Sequence, residues 1–177
     1  MKRTHTNPHI SSFILKRNGY FPNNVLPVLI YRNAVELPKL KNSAASIAQK
    51  LFLSNDWGNT WRNGIYDFHH YHSNTHECMI ICSGTANLVL GGPKGKRVKV
   101  ERGDTILLPA GVGHRCTKKT DNFMCVGGYP QAKDYDTCLG KQDEYKDAYD
   151  RIKKIPIPKR DPIFGNQGFL HAYWKKK

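Results

Sequence analysis

From Ile65 to Gly128 the chain is a succession of short apolar runs, each closed by glycine or proline. Turn residues recur roughly every eight to twelve positions, a rhythm that suits short strands and leaves little room for long helices. The spacing predicts strands over Ile65–His72, His76–Cys82, Thr85–Gly91, Arg97–Glu101, Thr105–Leu108, Gly113–Thr117 and Phe123–Gly128. Gly91-Gly92-Pro93-Lys94-Gly95 reads as a hairpin tip and Gly103-Asp104 as a tight turn. The expected class is all-β, an antiparallel barrel or sandwich.

Side-chain parity then selects a set of donors. His70 and His72 are two apart, so on a strand both imidazoles point to one face, with Tyr66 and Phe68, while His69 and Tyr71 point to the other. On the next strand Glu77 shares its face with Met79 and Ile81, which favours it over His76. His114 follows a Pro-x-Gly turn and shares its face with Cys116. Polar groups that merely satisfy each other would account for one or two of these side chains. A carboxylate converging with imidazoles in an apolar core needs a compensating charge. Three imidazoles and a carboxylate are a donor set for a divalent transition metal, and Fe, Mn, Ni, Cu, Co and Zn all accept mixed N and O ligands. Four ligands leave one or two positions open on a five- or six-coordinate ion. Tyr66, Phe68, Met79, Ile81, Leu108 and Cys116 are expected to line the pocket. Tyr66 is the candidate proton or hydrogen-bond donor there, a packed core tyrosine being the alternative. Cys116 is a reactive thiol or an inert core one.

Gly64, His70, His72, Glu77 and Gly84 meet every position of G-x5-H-x-H-x4-E-x6-G, and Gly103, Pro109, Gly111 and His114 meet G-x5-P-x-G-x2-H-x3-N up to its last position, where Lys118 stands. These two motifs resemble those of the cupins. The flanks, WRNG at Trp61–Gly64, HHYHSNTHE at His69–Glu77 and GYP at Gly128–Pro130, resemble the small YjlB-type single-domain cupins. The resemblance implies a double-stranded β-helix (a jelly-roll barrel) with a few peripheral helices. It implies one cupin domain over residues 1–177, with a barrel core at about 64–128 between an N-terminal extension 1–63 and a C-terminal extension 129–177. It also implies one divalent metal on His70, His72, Glu77 and His114, a small-molecule ligand in the barrel, and chemistry of a dioxygenase, isomerase or lyase kind or a binding role without catalysis.

Outside that core, Ser43–Leu53 carries an apolar stripe at Ala44, Ile47, Ala48, Leu51 and Phe52, which predicts a helix capped by Ser43 and packed outside the barrel. Ile10–Lys16 reads as a strand and Val25–Tyr31 as an edge strand because of Pro27. Gln142–Lys154 reads as a helix, and Phe164–Trp174 as a segment that docks back. Trp57 and Trp61 read as buried anchors. The N-terminus through Pro8 reads as loose.

With 28 basic and 14 acidic residues the formal charge is +14. The basic residues are scattered and show neither a recognition helix nor a stacking platform, which argues against nucleic acid as the partner. No apolar run is long enough to span a bilayer and the first residues lack a signal-like apolar stretch, so a cytoplasmic location is expected. Five cysteines, mostly inside strands, do not form a disulfide framework. Cys78-x3-Cys82 lies along one strand and does not suit a zinc knuckle. Partly blunted strand edges predict a homodimer.

Overall fold

The computed structural model describes residues 7–175. The first six residues, in a stretch read above as loose, and the last two lysines lie outside the described residues. Among the described residues nine strands and three helices follow in the order β1 (His9–Leu15), β2 (Asn24–Arg32), α1 (Lys41–Ser54), β3 (Trp57–Asn63), β4 (Glu77–Ser83), β5 (Thr85–Leu90), β6 (Lys96–Glu101), β7 (Thr105–Leu108), β8 (His114–Lys119), β9 (Met124–Pro130), α2 (Gln142–Ile152) and α3 (Leu170–Tyr173). The strands form a six-stranded sheet, β1-β2-β7-β4-β9-β3, and a three-stranded sheet, β6-β5-β8. All the pairings are antiparallel.

The two sheets face each other over one apolar layer. Val28, Ile30, Met79, Ile81, Ile106 and Leu108 meet Ala86, Leu88, Leu90, Val98 and Val100 there. The outer face of the large sheet is covered as well: Cys78, Ile80 and Leu107 pack with Ala44, Ala48 and Phe52 of α1 and with Ile163, Leu170 and Trp174. Covering on both sides explains why every residue of β4 is buried. Each fully buried large aliphatic side chain stabilises the fold by about 1.5–3 kcal/mol. The small sheet is one-sided, and β6 alternates between exposed and buried positions.

Several expectations change. The sheets do not close on each other as a barrel; they remain two sheets. Residues before Gly64 supply β1, β2 and β3, which are half of the larger sheet. β2 is interior, between β1 and β7. Its proline is tolerated because the β1 ladder is irregular between Phe13 and Leu15, and β7 pairs only with Leu29, Ile30 and Tyr31. The helix begins after Leu40, without a side-chain cap, so Ser43 does not cap it. Trp61 lies on β3, in the sheet itself, and is only partly buried.

Candidate metal centre

The His-x-His segment is not a regular strand. After β3 the chain crosses between the sheets, held by isolated pairs. His70 and His114 exchange N–H···O=C bonds at 3.2 and 2.9 Å, and Tyr71 and Cys138 exchange two at 2.9 Å. The Gly111 N–H donates to the His72 carbonyl at 2.8 Å. Extended backbone is thus kept without a continuous ladder. Tyr71, expected to face away from the site, is fully buried on that far side, against Phe21 and Cys138. His70 and His72 point the other way. The turn before His114 depends on Gly111, whose φ is +87° and where a Cβ would lie 2.6 Å from Ile152 Cδ1 and 2.8 Å from the Asn23 carbonyl.

One ring nitrogen from each of His70, His72 and His114 lies within 4.8 Å of the others, and all three side chains are buried. Glu77 Oε2 is 3.4 Å from His72 Nε2 and 3.3 Å from His114 Nε2. The other ring nitrogens fix the tautomers. His70 Nδ1 faces the Phe68 carbonyl at 3.2 Å, His114 Nδ1 the Val112 carbonyl at 3.0 Å, and His72 Nδ1 the Asp136 carbonyl. A carbonyl only accepts, so each Nδ1 carries the proton and each Nε2 turns a lone pair inward.

Glu77 stands beside two of the three, His72 and His114. Its Oε1 accepts from the Tyr129 hydroxyl at 2.8 Å, and that hydroxyl accepts from Trp61 Nε1 at 2.9 Å. Among the described residues its Oε2 is buried and takes no well-aligned hydrogen bond, its nearest polar neighbours being the Nε2 atoms of His72 and His114. An unsatisfied carboxylate oxygen facing imidazole lone pairs is costly unless a cation lies between them. Two donors about 2.1 Å from one ion at tetrahedral angles are roughly 3.4 Å apart, which the Glu77–His72 and Glu77–His114 separations match, while the three histidine nitrogens lie within a looser 4.8 Å. The electrostatics agree. Burial works to raise Glu77, but His72 and His114 outweigh it and hold the carboxyl well below its usual range. Burial works to lower His72, but Glu77 outweighs it and the net shift is upward. The field that draws a proton to this spot also draws a metal ion. Burial, then His114, pushes His70 down to about 3, which keeps it neutral.

The site opens into a cavity of about 120 Å³ walled by Trp61, Ile65, Tyr66, Met79, Tyr129 and Tyr135. Phe68, Ile81, Leu108 and Cys116 do not line it. The last three belong to the apolar layer between the sheets. Tyr66 lines the cavity as parity expects, but Phe68 does not; they are 50% and 42% exposed and stack on each other beside His70, where the backbone has left the ladder. His76 is buried away from the site, its Nδ1 accepting from the Ala110 N–H at 2.9 Å and its ring against Trp174. Lys118 is exposed, outside the cavity. The five cysteines are free and buried.

Tyr129 and Tyr135 escaped the sequence reading. For Tyr129 a signal existed: Gly127 lies opposite Met79, on the inward face, and Tyr129 is two residues further along β9. A Cβ at Gly127 would come within 2.1 Å of the Trp61 ring, so the glycine is what lets the indole reach the tyrosine. Tyr135 lies in a loop, where no period applies.

A family model described as a cupin domain matches residues 63–126. The uncharacterised protein YjlB of Bacillus subtilis is 34% identical over 166 residues, covering 93% of this chain and 96% of that one. Among solved structures, the chain is similar to a TDP-quinovose 3,4-ketoisomerase from Campylobacter jejuni (15% identity, 49% of this chain and 72% of that chain, TM-score 0.39). It is also similar to acireductone dioxygenase from Bacillus anthracis (18% identity, 64% of this chain and 54% of that chain, TM-score 0.33). With the domain model matched and a relative aligned over nearly all of both chains, the protein belongs to the cupin family and is YjlB-like.

Proposed function

We propose that this protein holds one divalent metal ion through Nε2 of His70, His72 and His114 and Oε2 of Glu77, and acts as a metal-dependent enzyme on a small molecule. The observation that carries the reading is the Glu77 oxygen without a well-aligned hydrogen bond beside His72 and His114, with the Nδ1 of all three imidazoles turned to a backbone carbonyl. A divalent ion held there supplies Lewis-acid or redox chemistry at its open positions. Tyr129 and Trp61 orient the carboxylate, and the aromatic walls exclude water and accept a ligand with apolar flanks. We read the paired sheets as a cupin double-stranded β-helix, and the chain as a cytoplasmic homodimer.

One observation favours a second reading, a binding module without catalysis. Burial, and then Glu77, push Tyr129 far above its ordinary value, so it donates a hydrogen bond and does not give up its proton. Tyr66 and Tyr135, the other phenols on the cavity wall, are 50% and 40% exposed.

Metal analysis of the purified protein, beside His72→Ala and His76→Ala, tests the centre. The expected result is near-stoichiometric metal in the parent and in His76→Ala, and loss in His72→Ala. A parent that takes up no Fe, Mn, Co, Ni, Cu or Zn after chelation and reloading would sink the reading. Turnover or dioxygen uptake across defined metals then separates enzyme from binding module.

A further inference from the structure

The three imidazoles are not oriented in the same way. His70 and His114 each turn Nδ1 to the carbonyl two residues earlier, on their own segment. His72 turns Nδ1 to the carbonyl of Asp136, 64 residues later and outside both cupin motifs. That carbonyl sits in an exposed loop, where Lys133, Asp134, Tyr135 and Thr137 are all open to solvent.

What holds it is a built contact. The Ser73 N–H donates to Asp136 Oδ1 at 2.6 Å, and the Ser73 hydroxyl donates to Oδ2. Arg151 of α2 donates from Nε to the Ser73 oxygen at 2.8 Å and places Nη2 3.5 Å from Oδ2. The Asp136 N–H donates to Asn74 Oδ1 at 3.1 Å. Ser73 is fully buried. The residue next to His72 therefore grips the carboxylate of the same residue whose carbonyl orients His72. Two contacts between the same short segments fix the peptide plane, where one alone would leave it free to rotate.

We propose that Asp136, braced by Ser73 and Arg151, is a positioning residue for His72, so that metal binding and docking of the C-terminal segment are thermodynamically linked. The inference rests on the metal reading above and concerns which residues of this chain tune it. Outer partners of metal-bound histidines are typically worth about 10–100-fold in affinity. Linkage is reciprocal: a metal that favours the aligned His72 also favours the docked loop.

The test is cobalt binding by the full-length protein, read by competition titration and by the visible spectrum of the bound ion. Loading of the parent is measured first. A parent that takes up no ion overturns the metal reading together with this one. If the parent loads, Asp136→Ala is expected to weaken cobalt about 10–100-fold and to alter the spectrum. Asp136→Asn, which keeps an acceptor for the Ser73 N–H, recovers most of the affinity, and Asp134→Ala on the same loop has no effect. Hydrogen exchange at residues 131–152 slows when the parent is loaded. A merely structural role predicts that Asp136→Ala lowers the melting temperature of the metal-free protein while cobalt affinity, spectrum and exchange are unmoved; that result overturns the inference and leaves the metal centre standing.

Discussion

Two of the buried carboxylates in this molecule, Asp161 and Glu77, are bonded in opposite ways. Asp161, on the outer side of the large sheet, is fully buried and saturated. Its Oδ1 accepts from the N–H groups of Ile163 and Phe164 at 2.8 and 3.0 Å. Its Oδ2 accepts from the Tyr31 hydroxyl and the Leu170 N–H at 2.8 and 3.0 Å. Glu77, on the inner side, has one donor on Oε1 and none on Oε2. A carboxylate kept for architecture fills its lone pairs with N–H and O–H groups. One kept for a ligand leaves an oxygen open towards other donors. The difference tells a structural charge from a functional one better than burial, which is the same for both.

The sharpest way to break that contrast is at Asp161. Asp161→Ala strands four buried donors and is expected to cost about 3–5 kcal/mol, a melting fall of roughly 10 °C, with metal affinity unchanged in the molecules that fold. Metal loss greater than the loss of folded protein would make Asp161 part of the site and erase the distinction.

The next effect is on acidification. His76 is buried and neutral: burial lowers it to about 4, with the Pro156 carbonyl working against the shift. Its folded value lies below that of the unfolded chain, so the unfolded chain binds the proton first. Stability is complete above about pH 6.5 and falls between there and about pH 4, by roughly 3 kcal/mol from this group. His70, pushed down to about 3, adds to the same slope. Urea titrations of metal-free protein across that range should show the decline, and His76→Gln should flatten it. A slope unchanged by that substitution would mean that His76 does not stay neutral.

A third effect is selective. Glu77→Gln keeps the shape and removes the charge. It should lower metal affinity by about 10–100-fold or more while changing the stability of the metal-free protein by less than about 1 kcal/mol, the reverse of Asp161→Ala. Isothermal titration beside thermal melts reads both, and a large loss of metal-free stability would class Glu77 with Asp161. The smallest effect is at Lys118. It stands where the motif has asparagine, but it is exposed and outside the cavity, so Lys118→Asn should alter stability and metal affinity by no more than about 0.5 kcal/mol.

Much of this was legible beforehand because it is periodic. Short apolar runs between glycines and prolines set the strands from Glu77 to Gly128 with boundaries within one or two residues, and the alternation along β4 separates Glu77, Met79 and Ile81 from Cys78 and Ile80. Where the backbone keeps a ladder, a two-residue period places side chains. Between Gly64 and Thr75 it makes only isolated bridges, and there parity placed Tyr66 on the cavity wall but misplaced Phe68. Pro27 suggested an edge, but an edge is a property of which strands meet, and β1 and β7 flank β2.

By itself, then, the sequence determined the β class, the turns, and the type and spacing of four donors that a two-residue period can bring to one side. Tertiary structure alone decided which tyrosine holds Glu77, that Trp61 braces it, that the sheets remain two, and that His72 takes its orientation from Asp136. The reason is physical. Strand periodicity and turn preference are set by neighbours along the chain and leave a pattern in it. A hydrogen bond between residues 64 positions apart is set by how two segments dock, and neither segment carries a local trace of the other.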